Sequence, residues 1–217
     1  MRNTYAYDTN VVMDDGTAIR TTVTNSGDAV KCYLREVYKH GNRLLVGLDT
    51  EWRVIRSGEH RMAVLQLCVG HRCLIFQIVH ADYIPAVLRK FLANPDHIFV
   101  AVGVHGDVDR LYDDCKLVVA NTVELKGVAA EVLGRPELRR AGLKTLAREV
   151  MGVHVDKDKN VTCSEWSQPL SMVQVRYACI DAFVSYEIGR LLREQAGAGD
   201  AAATGATMAP FVSFELP

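Results

Sequence analysis

Leu44-Leu45-Val46-Gly47-Leu48-Asp49-Thr50-Glu51 is an apolar run that ends in two carboxylates. Its aliphatic content, with Gly41-Asn42 before it and a charged turn after it, predicts a buried strand over residues 43–49. Side chains alternate along an extended chain, so Asp49 and Glu51 share one face. Two like charges on one face near a sheet's core repel unless a cation lies between them. The run therefore places a candidate metal site at the end of an interior strand.

Outward from this strand, residues 62–69 and 73–78 form a second apolar pair joined at Gly70-His71-Arg72, the pattern of a hairpin. An earlier hairpin is expected from residues 7–13 and 17–24, which flank the turn signal Asp14-Asp15-Gly16. Val30, Tyr33, Leu34, Val37 and Tyr38 recur at helical spacing within 28–39. Further helices are expected over 81–92, 106–115, 123–133 and 143–151, with a fully apolar strand at 98–104. Residues 152–170 are polar and read as irregular. A last long helix follows Pro169, opened by a capping box of Ser171 and Gln174 and striped by Val184, Ile188 and Leu191. It is expected to fray at Gly197-Ala198-Gly199, leaving 197–217, rich in small residues, as a flexible tail. Antiparallel strands followed by strand–helix alternation predict an α/β fold with a mixed central sheet and helices on its faces.

The 217 residues suit one domain, and 49% hydrophobic with 24% charged residues is enough for a core without staples. A formal net charge of −1 argues against a passive nucleic-acid binder that relies on a basic surface. It is compatible with an acidic site in which bound cations supply the positive charge. None of the six cysteines forms a C-x-x-C pair, and most lie in apolar runs, so they read as free thiols in a reducing compartment. Cys68 and Cys73 with His71 between them lack the second ligand pair of a zinc site. No stretch approaches the roughly eighteen apolar residues of a membrane span, and the N-terminus lacks the apolar stretch of a secretory signal. The expectation is a soluble intracellular protein, with cytoplasm and nucleus both open.

Two more acids and a tyrosine join the first pair. Asp107 follows the apolar strand through Gly106, at a strand-to-helix turn where ligand sites in α/β sheets favour strand ends. Asp181 lies in the last helix among Ala178, Ile180, Ala182 and Val184, and Tyr177, four residues earlier, shares its face. Oxygen ligands of this kind suit Mg²⁺ or Mn²⁺. Two such ions about 4 Å apart can activate water and stabilise a departing oxygen in phosphodiester hydrolysis. A tyrosine hydroxyl beside them would orient the water. Surface acids, a helix cap for Asp107 and a core salt bridge for Asp181 remain alternatives.

Three motifs stand in order: Leu48-Asp49-Thr50-Glu51-Trp52, then Val102-Gly103-Val104-His105-Gly106-Asp107 with Leu111, then Tyr177-Ala178-Cys179-Ile180-Asp181-Ala182. Together they resemble the DEDDy 3′-5′ exonucleases of the DnaQ-like superfamily, most closely the Werner-syndrome-type exonuclease domain. The resemblance extends through Leu143-Lys144-Thr145-Leu146, residues 157–166, Pro169-Leu170 and Gln174. It implies a ribonuclease-H-like fold and a single exonuclease domain over 1–196, with a hairpin at 1–25 and a catalytic core at 44–193. It implies Asp49, Glu51, Asp107 and Asp181 as ligands of two Mg²⁺ or Mn²⁺ ions, with Asp49 bridging and Tyr177 positioning water. The implied reaction releases nucleoside 5′-monophosphates from the 3′ ends of single-stranded RNA or DNA. The N-terminal hairpin is similar to that of small single-domain plant relatives, some of which form rings. A homo-oligomer is therefore an open alternative to a monomer.

Lys144, Arg148, Lys157 and Lys159 precede the third motif and are candidates for substrate phosphates, with a solvated basic face as the other reading. Trp166 is a candidate for stacking on a base, with core packing as its alternative. A catalytically silent binding or scaffold protein of the same fold is the competing function.

Overall fold

The structure, a computed structural model, describes residues 3–38, 43–54, 58–156 and 159–204. Its strands are β1 (Ala6–Val12), β2 (Ala18–Thr24), β3 (Leu45–Val54), β4 (His60–Val69), β5 (Arg72–Phe76), β6 (Ile98–Ala101) and β7 (Thr122–Glu124). They form one mixed sheet in the order β1-β2-β5-β4-β3-β6-β7. Strands β3, β4 and β5 are antiparallel neighbours, as expected. Hairpin β1–β2 joins this sheet by pairing β2 parallel to β5, and β6 and β7 extend the far side parallel to β3.

Helices α1 (Gly27–Val37), α2 (Ala86–Leu92) and α3 (Val104–Cys115) accompany one face, whose core holds Leu48, Leu65, Leu67, Phe99 and Leu111. The opposite face carries α4 (Leu125–Val132), the short α5 (Leu143–Leu146) and α6 (Lys159–Thr162), and the long α7 (Met172–Thr204). Val175, Ala178, Cys179, Ala182, Phe183, Val184, Ile188 and Leu192 form the buried stripe of α7, linked by three- and four-residue steps. That stripe crosses β3, β4, β5 and β6. Gly47 lets it lie close: a Cβ there would stand 2.0 Å from the Ala182 carbonyl oxygen. The helix is thus seated on β3 backbone to backbone.

Several expected boundaries move for identifiable reasons. The helix expected over 81–92 begins at Ala86, because Pro85 takes an extended conformation (φ −70°, ψ 142°) as its N-cap. The strand expected over 98–104 stops at Ala101; Gly103 turns left-handed (φ 86°), and α3 opens at Val104 rather than 106. Residues 122–124 pair as β7 where a helix is expected from 123. The helix expected over 143–151 is α-helical to Leu146 and π-helical over Ala147–Met151, and Gly152 (φ 70°) ends it. Residues 159–162, expected as irregular, form α6. The last helix does not end at Gly197 but continues to Thr204; residues 205–217 of the expected tail lie outside the described residues. Its capping box is present: the Ser171 backbone N–H donates to Gln174 Oε1 (2.9 Å), and the Gln174 N–H donates to Ser171 Oγ (3.3 Å).

Candidate active site

Asp49 and Glu51 lie inside β3, which does not close at residue 49 as expected but stays paired with β4 to Val54; both face α7, since Gly47, two residues before Asp49, touches that helix. Asp181 descends from α7, one residue before the backbone carbonyl that Gly47 admits. Oxygen atoms of Asp49, Glu51 and Asp181 lie within 4.8 Å of one another. Glu51 and Asp181 are buried and Asp49 is half-buried. At such a separation each pair of carboxylates repels by roughly 3 kcal/mol for an effective dielectric near 20. A divalent cation among them reverses the sign of that energy, and three convergent oxygen donors fit the hard ions Mg²⁺ and Mn²⁺. Among the described residues this is the group that gathers metal-ligand atoms.

Asp107 is buried in the first turn of α3 but stands outside that trio. Its Oδ1 accepts a hydrogen bond from Thr50 Oγ1 at 2.5 Å. Thr50 lies between the two acids in sequence and points to the other face of β3, so it couples α3 to the strand that carries them. The turn before α3 is held from β7: Glu124 Oε2 accepts from the backbone N–H groups of Gly103 (2.8 Å) and Val104 (3.2 Å). A carboxylate at a helix N-terminus satisfies otherwise unpaired donors and complements the helix dipole.

Tyr177, one turn before Asp181, is buried, and its hydroxyl is 2.8 Å from Thr162 Oγ1 at the end of α6. The segment between them is pinned to the sheet. Gln77 Nε2 donates to the carbonyls of Trp166 (3.1 Å) and Gln168 (2.6 Å), and Tyr5 Oη donates to Gln77 Oε1 (2.7 Å). Trp166 is wholly buried, its indole N–H donating to the Thr162 carbonyl and its ring 6.0 Å from that of Tyr177. This corrects the base-stacking candidate: Trp166 has no face open to a base, and it packs the floor under Tyr177.

Lys144 is solvent-exposed on α5; Lys159 opens α6, and its side chain lies outside the described residues. Cys68 and Cys73 are buried cross-strand partners and Cys179 is buried beside them. Burial pushes the Cys73 thiol well up, and its bond to Cys73, then burial, raise Cys179. All three are buried and serve packing. On the α3 side of the β3–β4 pair, Arg53, Arg61, Arg89, Lys116 and Asp114 line a cavity of about 490 Å³. Trp52 carries the Arg110 guanidinium over its ring at 4.1 Å.

Thr50, Thr162 and Glu124 were not legible as site residues. Thr50 has a signal in its place inside the D-x-E run, whereas the other two act through contacts that no local pattern announces.

Clustered acids on an interior strand, with a tyrosine on the helix that covers them, suit a cation-dependent hydrolase. The chain belongs to the 3′-5′ exonuclease family, which matches it over residues 22–196. The mouse bifunctional 3′-5′ exonuclease/ATP-dependent helicase WRN is 37% identical over 143 residues, 64% of this chain and 10% of that protein. A 3′-5′ exonuclease of Arabidopsis thaliana is 28% identical over 154 residues, 69% of this chain and 52% of its own length. The chain thus spans from a tenth to about half of these relatives. Escherichia coli RNase D, described as an exoribonuclease involved in structured RNA processing, shares the fold with a TM-score of 0.70 at 20% identity, covering 82% of this chain and 46% of that one. Among the described residues no helix is long and apolar enough to cross a membrane.

Proposed function

We propose that this chain is a metal-dependent 3′-5′ exonuclease that shortens single-stranded or 3′-overhanging nucleic acid to nucleoside 5′-monophosphates. The observation that carries the proposal is the convergence of Asp49, Glu51 and Asp181 from β3 and α7 to within 4.8 Å. Asp49, Glu51 and Asp181 hold the divalent cations, with Asp107 completing the set through its seat on Thr50. Ions held by these carboxylates would supply positive charge favouring in-line attack of water on the terminal phosphodiester and departure of the 3′ oxygen. Tyr177 orients the attacking water, and its contact with Thr162 holds the hydroxyl in place. Lys144, exposed on α5 on the α7 side of the sheet, contacts a backbone phosphate upstream of the cleaved bond, a positioning role without sequence readout.

The test is a time course on 5′-labelled RNA and DNA of one sequence, with Mg²⁺, Mn²⁺ or chelator, for wild type and Asp49→Ala. A ladder shortening from the 3′ end, lost with chelator and in the variant, is the expected result and names the preferred sugar. Binding of single strands without any product, with either ion, would replace the enzyme by a silent binding protein of this fold.

A further inference from the structure

Gln66 occupies the middle of β4 and is wholly buried, yet neither its amide nitrogen nor its amide oxygen has a hydrogen-bond partner among the described residues. An amide buried with both ends unsatisfied is a costly placement, and a leucine or methionine of similar volume would avoid the cost. Such a group calls for an explanation in function.

Its position supplies one. Val64 and Cys68, two residues to either side, belong to the core under α7, whereas Leu65 and Leu67 belong to the opposite core. Gln66 therefore faces α7. Its direct partner across the antiparallel β3–β4 pair is Asp49, whose side chain faces the same way. Cβ atoms of such opposed residues lie about 4.5–5.5 Å apart, within the reach of a glutamine amide. Water reaches the half-buried Asp49 from outside, and Gln66 adjoins it from the dry side of the sheet.

We propose that Gln66 is a positioning residue of the metal centre: its amide N–H donates to the Asp49 carboxylate when a divalent cation is held, fixing which oxygen faces the ion. Ligating carboxylates are commonly held by hydrogen bonds of this kind, and loss of such a partner weakens metal affinity about 10–100-fold. A neutral donor does this without altering the charge of the site; a glutamate would add a further negative charge to a cluster that already holds three. The inference rests on the proposed metal site.

The experiment measures Mn²⁺ affinity by calorimetry without substrate, together with thermal unfolding in chelator, for wild type, Gln66→Leu, Gln66→Met and Asp49→Ala. Both Gln66 variants should unfold in chelator at or above the wild-type temperature, because an unsatisfied amide leaves the core. Both should bind Mn²⁺ about 10–100-fold more weakly. Wild-type Mn²⁺ affinity in either folded variant overturns the proposal. So does failure of both to fold in chelator, which would make the amide a support of the metal-free fold. Mn²⁺ binding abolished by Asp49→Ala but untouched by Gln66→Leu removes the role of Gln66 alone; no binding by wild type removes the metal centre itself and this role with it.

Discussion

Replacing Gly47 with alanine sets a methyl group 2.0 Å from the Ala182 carbonyl oxygen and 2.7 Å from the Tyr186 backbone nitrogen. Both contacts are main-chain atoms inside α7, so neither can swing aside as a side chain would. Reaching ordinary van der Waals contact requires α7 to withdraw from β3 by about 1.4 Å, since packed interiors transmit such strain rather than absorb it. Asp181 precedes Ala182 directly, so its carboxylate moves with the helix and away from Asp49 and Glu51. Displacing a reacting group by about 1 Å costs on the order of 100-fold in rate. Overpacking alone costs about 1–3 kcal/mol, which in a domain of this size lowers Tm by roughly 2–4 °C per kcal/mol. The assay is single-turnover hydrolysis of a 5′-labelled strand at saturating Mn²⁺, well below the variant's Tm, beside thermal unfolding. Gly189→Ala is the control, because the nearest atoms to its Cβ belong to the Val100 side chain, at 3.0 Å, two turns away from Asp181. A Gly47→Ala protein that unfolds earlier but cleaves at the wild-type rate would refute the coupling between helix seat and site. Unchanged Tm and rate together would refute the packing argument as well.

Asp181→Asn removes one of three mutually repelling charges, so Tm in chelator should rise while hydrolysis falls by about 10²–10³-fold; a lower Tm in chelator would contradict the repulsion. Tyr177→Phe should leave Mn²⁺ affinity intact and reduce the rate at saturating substrate by about 10²-fold or more. Thr162→Val should show a weaker form of the same effect, and equal rates for all three proteins would dismiss the hydroxyl. Glu124→Gln weakens the anchor at the start of α3, so unfolding by denaturant should show a loss of about 1 kcal/mol without a change in the slope m. Lys144→Ala should weaken binding of a single strand in Ca²⁺ and flatten its salt dependence by about 0.7 for the lost phosphate contact. An unchanged slope would place the strand elsewhere.

Local chemistry made much of this protein readable. An apolar run ending in Asp49-Thr50-Glu51 dictates a strand with two acids on one face, because side-chain alternation is a property of the extended backbone itself. The capping box at Ser171 and Gln174 and the helical stripe through Val184 and Ile188 depend on neighbours within a few residues; the box appears as read, and the stripe continues to the buried Leu192 rather than the half-buried Leu191. What tertiary structure alone decided involves partners far apart in the chain. Residues 122–124 are too few to declare a strand; they become β7 because β6 offers an edge. Trp166 reads as core more readily than as a stacking platform, and the fold's closure over it decides for the core. Gln66 looks like an ordinary polar residue in a strand until the β3–β4 register sets it opposite Asp49. Asp107 reaches β3 through Thr50 for the same reason. Periods of two and 3.6 are written into adjacent residues, whereas register, burial and the seat of α7 on Gly47 follow from how distant surfaces fit.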